Sequence, residues 1–264
     1  MHLTSYLSVA LAAAGLAVAT PKRGGMKHSP KPQYKGGRYH VDRGMSFSNK
    51  AIYNFTGDSL PEGLSASDYQ PDDAHTFTPS NVNVADGYLE LLVDGGQTDM
   101  PYMSGEIVTD VQNILYASVR TVAILSEPAG VCNGMFFYKS DTQESDIEWL
   151  SDKDSESNGG KRKLWFTNQD ANGDGKSTYR SFSPPSNPTT TEHEYRIDWT
   201  AGMTKFYVDG VKLWQTKRDV PDEAGPWIWN NWSNGDEGWS AGPPETDAVF
   251  KIKSIEMYYN TADD

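Results

Sequence analysis

The sequence has a single cysteine, Cys132, so no disulfide can form within the chain and stability has to come from a packed core. It lacks any surplus of positive charge: 36 acidic residues outnumber 23 basic ones, for a formal net charge of −13. A protein that grips phosphates needs a basic face, so nucleic acid and anionic membrane surfaces are excluded as main partners. After residue 19 no apolar run is long enough to cross a bilayer, and no stretch repeats Ala, Leu, Glu and Lys at helical spacing.

What is present divides into three segments. Leu3 to Ala19 is almost wholly apolar and closes on Ala17-Val18-Ala19, the small-x-small pattern that signal peptidase accepts. Residues 1–19 are therefore read as a signal peptide, removed on secretion to the cell exterior or wall and leaving no membrane attachment. Residues 20–50 hold eight basic residues against one acid, Asp42, with much Gly, Pro and Ser and no apolar period. They are read as a flexible basic leader. Residues 51–264 are read as one domain, a monomer. The sequons Asn54-Phe55-Thr56 and Asn231-Trp232-Ser233 mark Asn54 and Asn231 as glycan acceptors in a secreted chain.

Within the domain the local pattern is β throughout. Tyr88 to Val93, Ser118 to Leu125, Glu194 to Trp199 and Val249 to Tyr258 are short, rich in β-branched and aromatic residues, and often alternate. Asp209-Gly210 supplies a two-residue hairpin turn, which needs positive φ at both positions. Many short strands broken by Gly, Pro, Asn and Asp predict an all-β, antiparallel two-sheet sandwich.

The chemistry sits in Gln143-Glu144-Ser145-Asp146-Ile147-Glu148-Trp149-Leu150. On a strand, alternate side chains share a face, so Glu144, Asp146 and Glu148 stand together above a backing of Ser145, Ile147 and Trp149. Crowded carboxylates raise one another's pKa values, and glycoside hydrolysis uses such a pair: one carboxylate attacks while one carboxylic acid protonates the leaving oxygen. The α-carbons of Glu144 and Glu148 are about 13 Å apart at ~3.3 Å per residue, so both side chains must lean inward over Asp146 to approach the ~5–5.5 Å of a retaining pair. Taken alone, the octapeptide fits a solvated acidic face equally well.

Aromatic rings interleaved with amides suit sugars, whose faces stack while their hydroxyls hydrogen-bond. Trp165, Asn168 and Gln169 form one such group, and Asn230, Trp232 and Trp239 another. Phe136 and Tyr138 share a strand face; Trp149, by parity, points into the core. Cys132 reads as a small buried apolar residue, and His193 as a structural histidine entering a strand. No metal site is assigned and no cofactor is required. Asp170-Ala-Asn172-Gly-Asp174-Gly175 opens like a calcium loop but lacks the closing Glu, so a structural calcium ion there stays open as an alternative to a plain surface loop.

Glu144-Ser145-Asp146-Ile147-Glu148 resembles the E-x-D-x-E signature of glycoside hydrolase family 16. Ser104-Gly105-Glu106-Ile107, Tyr116 to Arg120, Phe136-Phe137-Tyr138, Phe206 to Gly210 and Asn230-Asn231-Trp232 recur in the family's order, over Ala51 to Tyr259. The regular spacing of the acids is similar to that of the lichenase and wall-transglycosylase branch, and the resemblance as a whole is taken to imply a secreted fungal member. The resemblance implies a concave β-jelly-roll, a β-glucan substrate, Glu144 as nucleophile, Glu148 as acid/base and Asp146 as helper, with Arg120, Phe136 and Tyr138 among the substrate contacts. The expected activity is a retaining endo-β-glucanase on 1,3/1,4-linked chains. A wall transglycosylase using the same residues and a non-catalytic lectin are the alternatives. Ser145 departs from the family, which has an aliphatic residue there, and is expected to loosen packing under the site.

Overall fold

The computed structural model describes residues 29–264; the expected signal peptide and the start of the basic leader lie outside the described residues. In chain order the strands are β1 (Gln33–Lys35), β2 (Arg38–Asp42), β3 (Met45–Phe47), β4 (Asn49–Asn54), β5 (Leu64–Ala66), β6 (His75–Phe77), β7 (Val82–Ala85), β8 (Tyr88–Val93), β9 (Tyr102–Thr109) and β10 (Ile114–Ile124). They continue as β11 (Cys132–Ser140), β12 (Gln143–Leu150), β13 (Leu164–Asn168), β14 (Thr178–Phe182), β15 (His193–Thr200), β16 (Met203–Val208), β17 (Val211–Thr216), β18 (Trp227–Trp232) and β19 (Ala248–Thr261).

These strands build the antiparallel two-sheet sandwich that the patterning predicts, with the β-jelly-roll form that the resemblance implies. The front sheet runs β14-β13-β12-β11-β18-β9-β5, and β6 joins β9 in the molecule's parallel pairing among the described strands. The back sheet runs β17-β16-β15-β10-β19-β8-β7, with β4 added on β19. Period-two burial turns Leu89, Leu91 and Val93 of β8 inward, and Ile147 and Trp149 of β12 likewise. Between the sheets, Phe166 stacks on Phe206 at 5.2 Å and Phe137 lies 4.0 Å from Trp199. Each such ring, fully buried, contributes about 1.5–3 kcal/mol relative to exposure. Trp149 and Trp229 keep their indole N–H groups satisfied inside, on Ser126 O at 3.0 Å and Thr121 Oγ1 at 2.8 Å.

The leader departs from expectation. From Gln33 to Phe47 it forms a three-stranded sheet that closes over the outer face of the back sheet. Gly36 and Gly37, at φ 61° and 78°, make the tight β1–β2 turn. Met45 and Phe47 alternate inward onto Tyr258, while Arg38 donates to Ser46, Ser48 and Asn260. Apolar alternation was present but spread over strands too short to stand out among the basic residues.

Beneath this strap lies Arg120, a predicted substrate contact. It projects from β10 on the side opposite Val119 and Thr121, is buried, and faces Glu256 and the Tyr258 ring. The resemblance placed it in the cleft; the pairing of β10 with β15 and β19 puts it in the other sheet. Asn54 is exposed at the end of β4. Asn231, in contrast, is fully buried, donating to Leu91 O at 2.9 Å and Ala248 O at 2.8 Å, so the second sequon has no accessible amide in the folded chain.

His193 is structural, as read. Its Nδ1 donates to Asp209 at 2.7 Å and its Nε2 to Ser186 O at 2.9 Å. Burial alone would lower its pKa, but the bond and charge of Asp209 with the Ser186 carbonyl outweigh it and raise the pKa. A raised folded-state pKa means the contribution is complete below the unfolded value of about 6.5 and fades as pH rises through the folded value. His193→Gln should therefore cost about 1–2 kcal/mol near pH 5 and less at pH 8, read from urea unfolding at both pH values. Equal losses at both would refute the charge contribution.

Candidate active site

Strand β12 lies inside the front sheet, paired with β11 and β13. Its parity holds: Ile147 and Trp149 enter the core, while Glu144, Asp146 and Glu148 line an open cleft. The register sets Tyr138 opposite Glu144, Phe136 opposite Asp146 and Gly134 opposite Glu148 on β11, and Thr167 and Trp165 opposite Asp146 and Glu148 on β13. A β-carbon at Gly134 would sit 2.4 Å from Asn230 Oδ1 on β18 and 3.2 Å from the Phe136 ring, so a larger residue there would have to displace side chains of the cleft.

Asp146 is buried and Glu144 and Glu148 are half-buried, and burial is the largest influence on each. It pushes Glu144 up to about 8, although the hydrogen bond from Asp146 pulls the other way. Asp146 is pushed well up by burial, then by the charges of Glu144 and Glu148, and by its bond to Glu144. The bond between the two lowers Glu144 and raises Asp146, so a proton shared by the pair favours Asp146. Gln169 Nε2 donates to Asp146 Oδ2 at 3.2 Å and fixes its other oxygen. Glu148 is also raised by burial, opposed by hydrogen bonds from Trp239 and Cys132. The trio thus sets two glutamates with raised pKa values near opposite ends of one strand, only Glu144 of which is bonded to Asp146.

The cleft divides at Glu148 into two adjoining cavities. One, of about 550 Å³, holds Glu144, Asp146, Phe136, Tyr138, Asn230 and Trp232; the other, of about 590 Å³, is walled by Trp165, Gln169, Tyr179 and Trp239. The structure therefore brings together the three acids and seven of the nine predicted contacts: Phe136, Tyr138, Trp165, Gln169, Asn230, Trp232 and Trp239. Arg120 and Asn168 are the corrections. Asn168 has the parity opposite to Gln169 and is buried under the sheet, accepting from Ser145 Oγ at 2.8 Å and donating to Arg218 O at 3.0 Å. That pair also explains Ser145: its hydroxyl is satisfied by Asn168, so the expected loosening is replaced by a buried hydrogen bond.

Several cleft residues were missed. Tyr69, His75 and Phe77 come from the segment before β7, and His75 stacks on Trp232 with centroids 5.2 Å apart. Glu106 on β9 faces the cleft, pushed up to about 7 by burial while Ser67, Asn230 and Tyr69 bond it. Its parity against the core residue Ile107 was the available signal.

The Asp170 loop turns inward on itself. Asp170 accepts the amides of Asp174 and Gly175 at 2.8 and 2.7 Å, and Asn172 donates to Asp219 at 2.6 Å. Among the described residues no cluster of three or more His, Cys, Asp or Glu is arranged to hold a metal ion, and no helix is long and apolar enough to cross a membrane.

Comparison with known proteins follows the same lines. The Beta-glucanase of Acetivibrio thermocellus is 30% identical over 165 residues, 59% of this chain and 46% of that protein. Congo red hypersensitive protein 1 of Saccharomyces cerevisiae is 26% identical over 101 residues, 38% of this chain and 18% of that protein. The chain thus spans less than half the length of these curated relatives. Among solved structures, the Bacillus licheniformis beta-glucanase superposes with a TM-score of 0.66 at 19% identity, covering 80% of this chain and 98% of that one. The endo-beta-1,3-glucanase from Pyrococcus furiosus gives 0.66 at 16% identity, covering 88% and 100%, so both share the fold. The family model for Glycosyl hydrolases family 16 matches residues 70–247, a span that contains all three acids and every cleft residue named above except Tyr69. Matched over most of its length, the chain belongs to glycosyl hydrolases family 16.

Proposed function

We propose that the protein is a secreted, retaining endo-β-glucanase acting on 1,3/1,4-linked glucan. The observation that carries this reading is the placing of Glu144, Asp146 and Glu148 together on the cleft-facing side of β12, with Asp146 between the two glutamates. In the first step a Glu144 oxygen attacks the anomeric carbon, the bond to the leaving sugar oxygen breaks, and Glu148 gives that oxygen its proton. In the second, Glu148 takes a proton from water, the hydroxyl displaces Glu144, and the ester bond breaks with the original configuration restored. An open cleft lined by rings suits internal cleavage of a chain. The apolar segment 3–19 supports secretion, which would present Asn54 for glycosylation.

The wall-transglycosylase reading keeps the same first step and replaces water by a sugar hydroxyl. The cavity beyond Glu148, with Trp165 and Trp239 5.3 Å apart and Tyr179 5.8 Å from Trp165, favours it as a place for an acceptor. The deciding experiment incubates the protein with mixed-linkage glucan and laminarin, with and without a fluorescent glucan oligosaccharide. Shorter products with no labelled polymer support hydrolysis, labelled long chains support transfer, and no change in any glucan rejects both.

Asp146→Asn tests the helper. An amide donates more weakly than a carboxylic acid, so Glu144 loses stabilisation of its ionised form and its pKa rises further. We expect activity to fall by about 10–100-fold and the acidic limb of the pH profile to move to higher pH. An unmoved limb would show that Asp146 does not bond the nucleophile.

A further inference from the structure

Trp239 looks like a sugar platform, but its polar end points elsewhere. Its indole Nε1 donates to Glu148 Oε1 at 3.0 Å. The Cys132 thiol, from the cleft-facing parity of β11, donates to the same oxygen at 3.4 Å. Cys132 itself is fully buried, so this contact is made beneath the cleft floor.

The loop carrying Trp239 is built to hold this position. Trp239 N donates to Asp236 O at 3.0 Å, Ala241 N to the same carbonyl at 2.7 Å, and Asn234 N to Ser240 Oγ at 3.1 Å. Glu156 N ties the neighbouring loop to Glu237 O at 3.0 Å. The indole is therefore in place before any sugar arrives.

We propose that Trp239, with Cys132 beneath it, is a positioning residue for Glu148: the two donors pin Oε1 and leave the other carboxyl oxygen to hold the transferable proton. An indole N–H has no lone pair to accept with, so a proton on Oε1 would oppose it; the proton has to reside on Oε2. This rests on the glycosidase reading of the site.

Donors on a carboxylate also favour its ionised form, against the burial that raises Glu148. Other titratable groups lining the two cavities with it are Glu144 and Asp146 on its own strand, Tyr138 from β11, Glu106 from β9, His75 from β6, Tyr69 from the segment before β6, and Lys176 and Tyr179 across the second cavity. None of these donates to Oε1, so the effect of the two donors can be separated from theirs.

The test is the pH profile of kcat/KM on a glucan the native protein cleaves, paired with a ¹³C-NMR titration of labelled glutamate carboxyls without substrate. Trp239→Phe keeps a ring and removes the donor; Cys132→Ala removes the thiol. Each should move the basic limb, and the Glu148 titration, up by about half a pH unit, and both together by about one. Trp239→Phe should also lower kcat about tenfold with KM changed less than threefold, and Cys132→Ser, which keeps a donor, should lie between Cys132→Ala and the native protein. A raised KM with an unmoved limb and titration would reduce Trp239 to a platform and overturn the proposal. If Trp239→Phe does not fold, Cys132→Ala decides by the same readouts. If the native protein cleaves no glucan yet the Glu148 titration moves, the proposed function fails and the positioning role stands.

Discussion

Glu144→Ala should abolish turnover on every β-glucan, with kcat lower by on the order of 10⁴- to 10⁶-fold, the scale of losing a covalent nucleophile. The reason is local. The bond shared by Glu144 and Asp146 favours the ionised form of Glu144 over that of Asp146, and in the proposed mechanism Glu148 is taken up as the acid, so neither neighbour on β12 replaces Glu144. Truncation leaves a space the size of a carboxymethyl group beside Asp146. Azide can enter it, attack the anomeric carbon from the vacated side, and release a glycosyl azide of inverted configuration. Rescue with retention would mean that the attacking face belongs to the other glutamate.

Glu148→Ala should separate the two steps. With a natural glucan the leaving alkoxide needs the proton, and turnover should fall by about 10³-fold or more. With a dinitrophenyl glycoside the leaving group departs unprotonated, so the first step should survive and the glycosyl-enzyme accumulate. Azide would then attack the intermediate from the side where Glu148 stood, giving a product of retained configuration. A variant equally impaired on both substrates would deny Glu148 the acid role; inverted azide product would exchange the assignments of Glu144 and Glu148.

The site was legible wherever period-two alternation could be applied to a strand whose sheet was known. Glu144, Asp146 and Glu148 followed from parity, as did the burial of Trp149. The same rule, applied to β13 and β18, would have sent Asn168 and Asn231 inward, since each neighbours a cleft-facing residue; composition alone made them look like sugar contacts or a glycan acceptor. Arg120 was a different case. Its parity was readable, but whether outward meant cleft or back depends on which sheet holds β10, and long-range pairing decides that. His75 and Phe77 reach the cleft through the parallel pairing of β6 with β9, and Tyr69 through an antiparallel bridge to Phe77, neither of which leaves a local pattern. The leader hid its sheet for a compositional reason: Gly36-Gly37 is a hairpin turn, but three- and five-residue strands among lysines and arginines offer too few alternations to register.

The account turns on a covalent bond to Glu144, and trapping that bond is the direct measurement. A short β-glucan oligosaccharide with fluorine at C2 and a dinitrophenolate leaving group slows both steps, while the good leaving group restores the first, so the intermediate accumulates. Intact-mass analysis should show one added glycosyl unit, and proteolytic mapping should place it on Glu144. An adduct on Glu148 or Asp146, or hydrolysis of the unmodified substrate to an inverted anomer with no adduct at all, would contradict the mechanism.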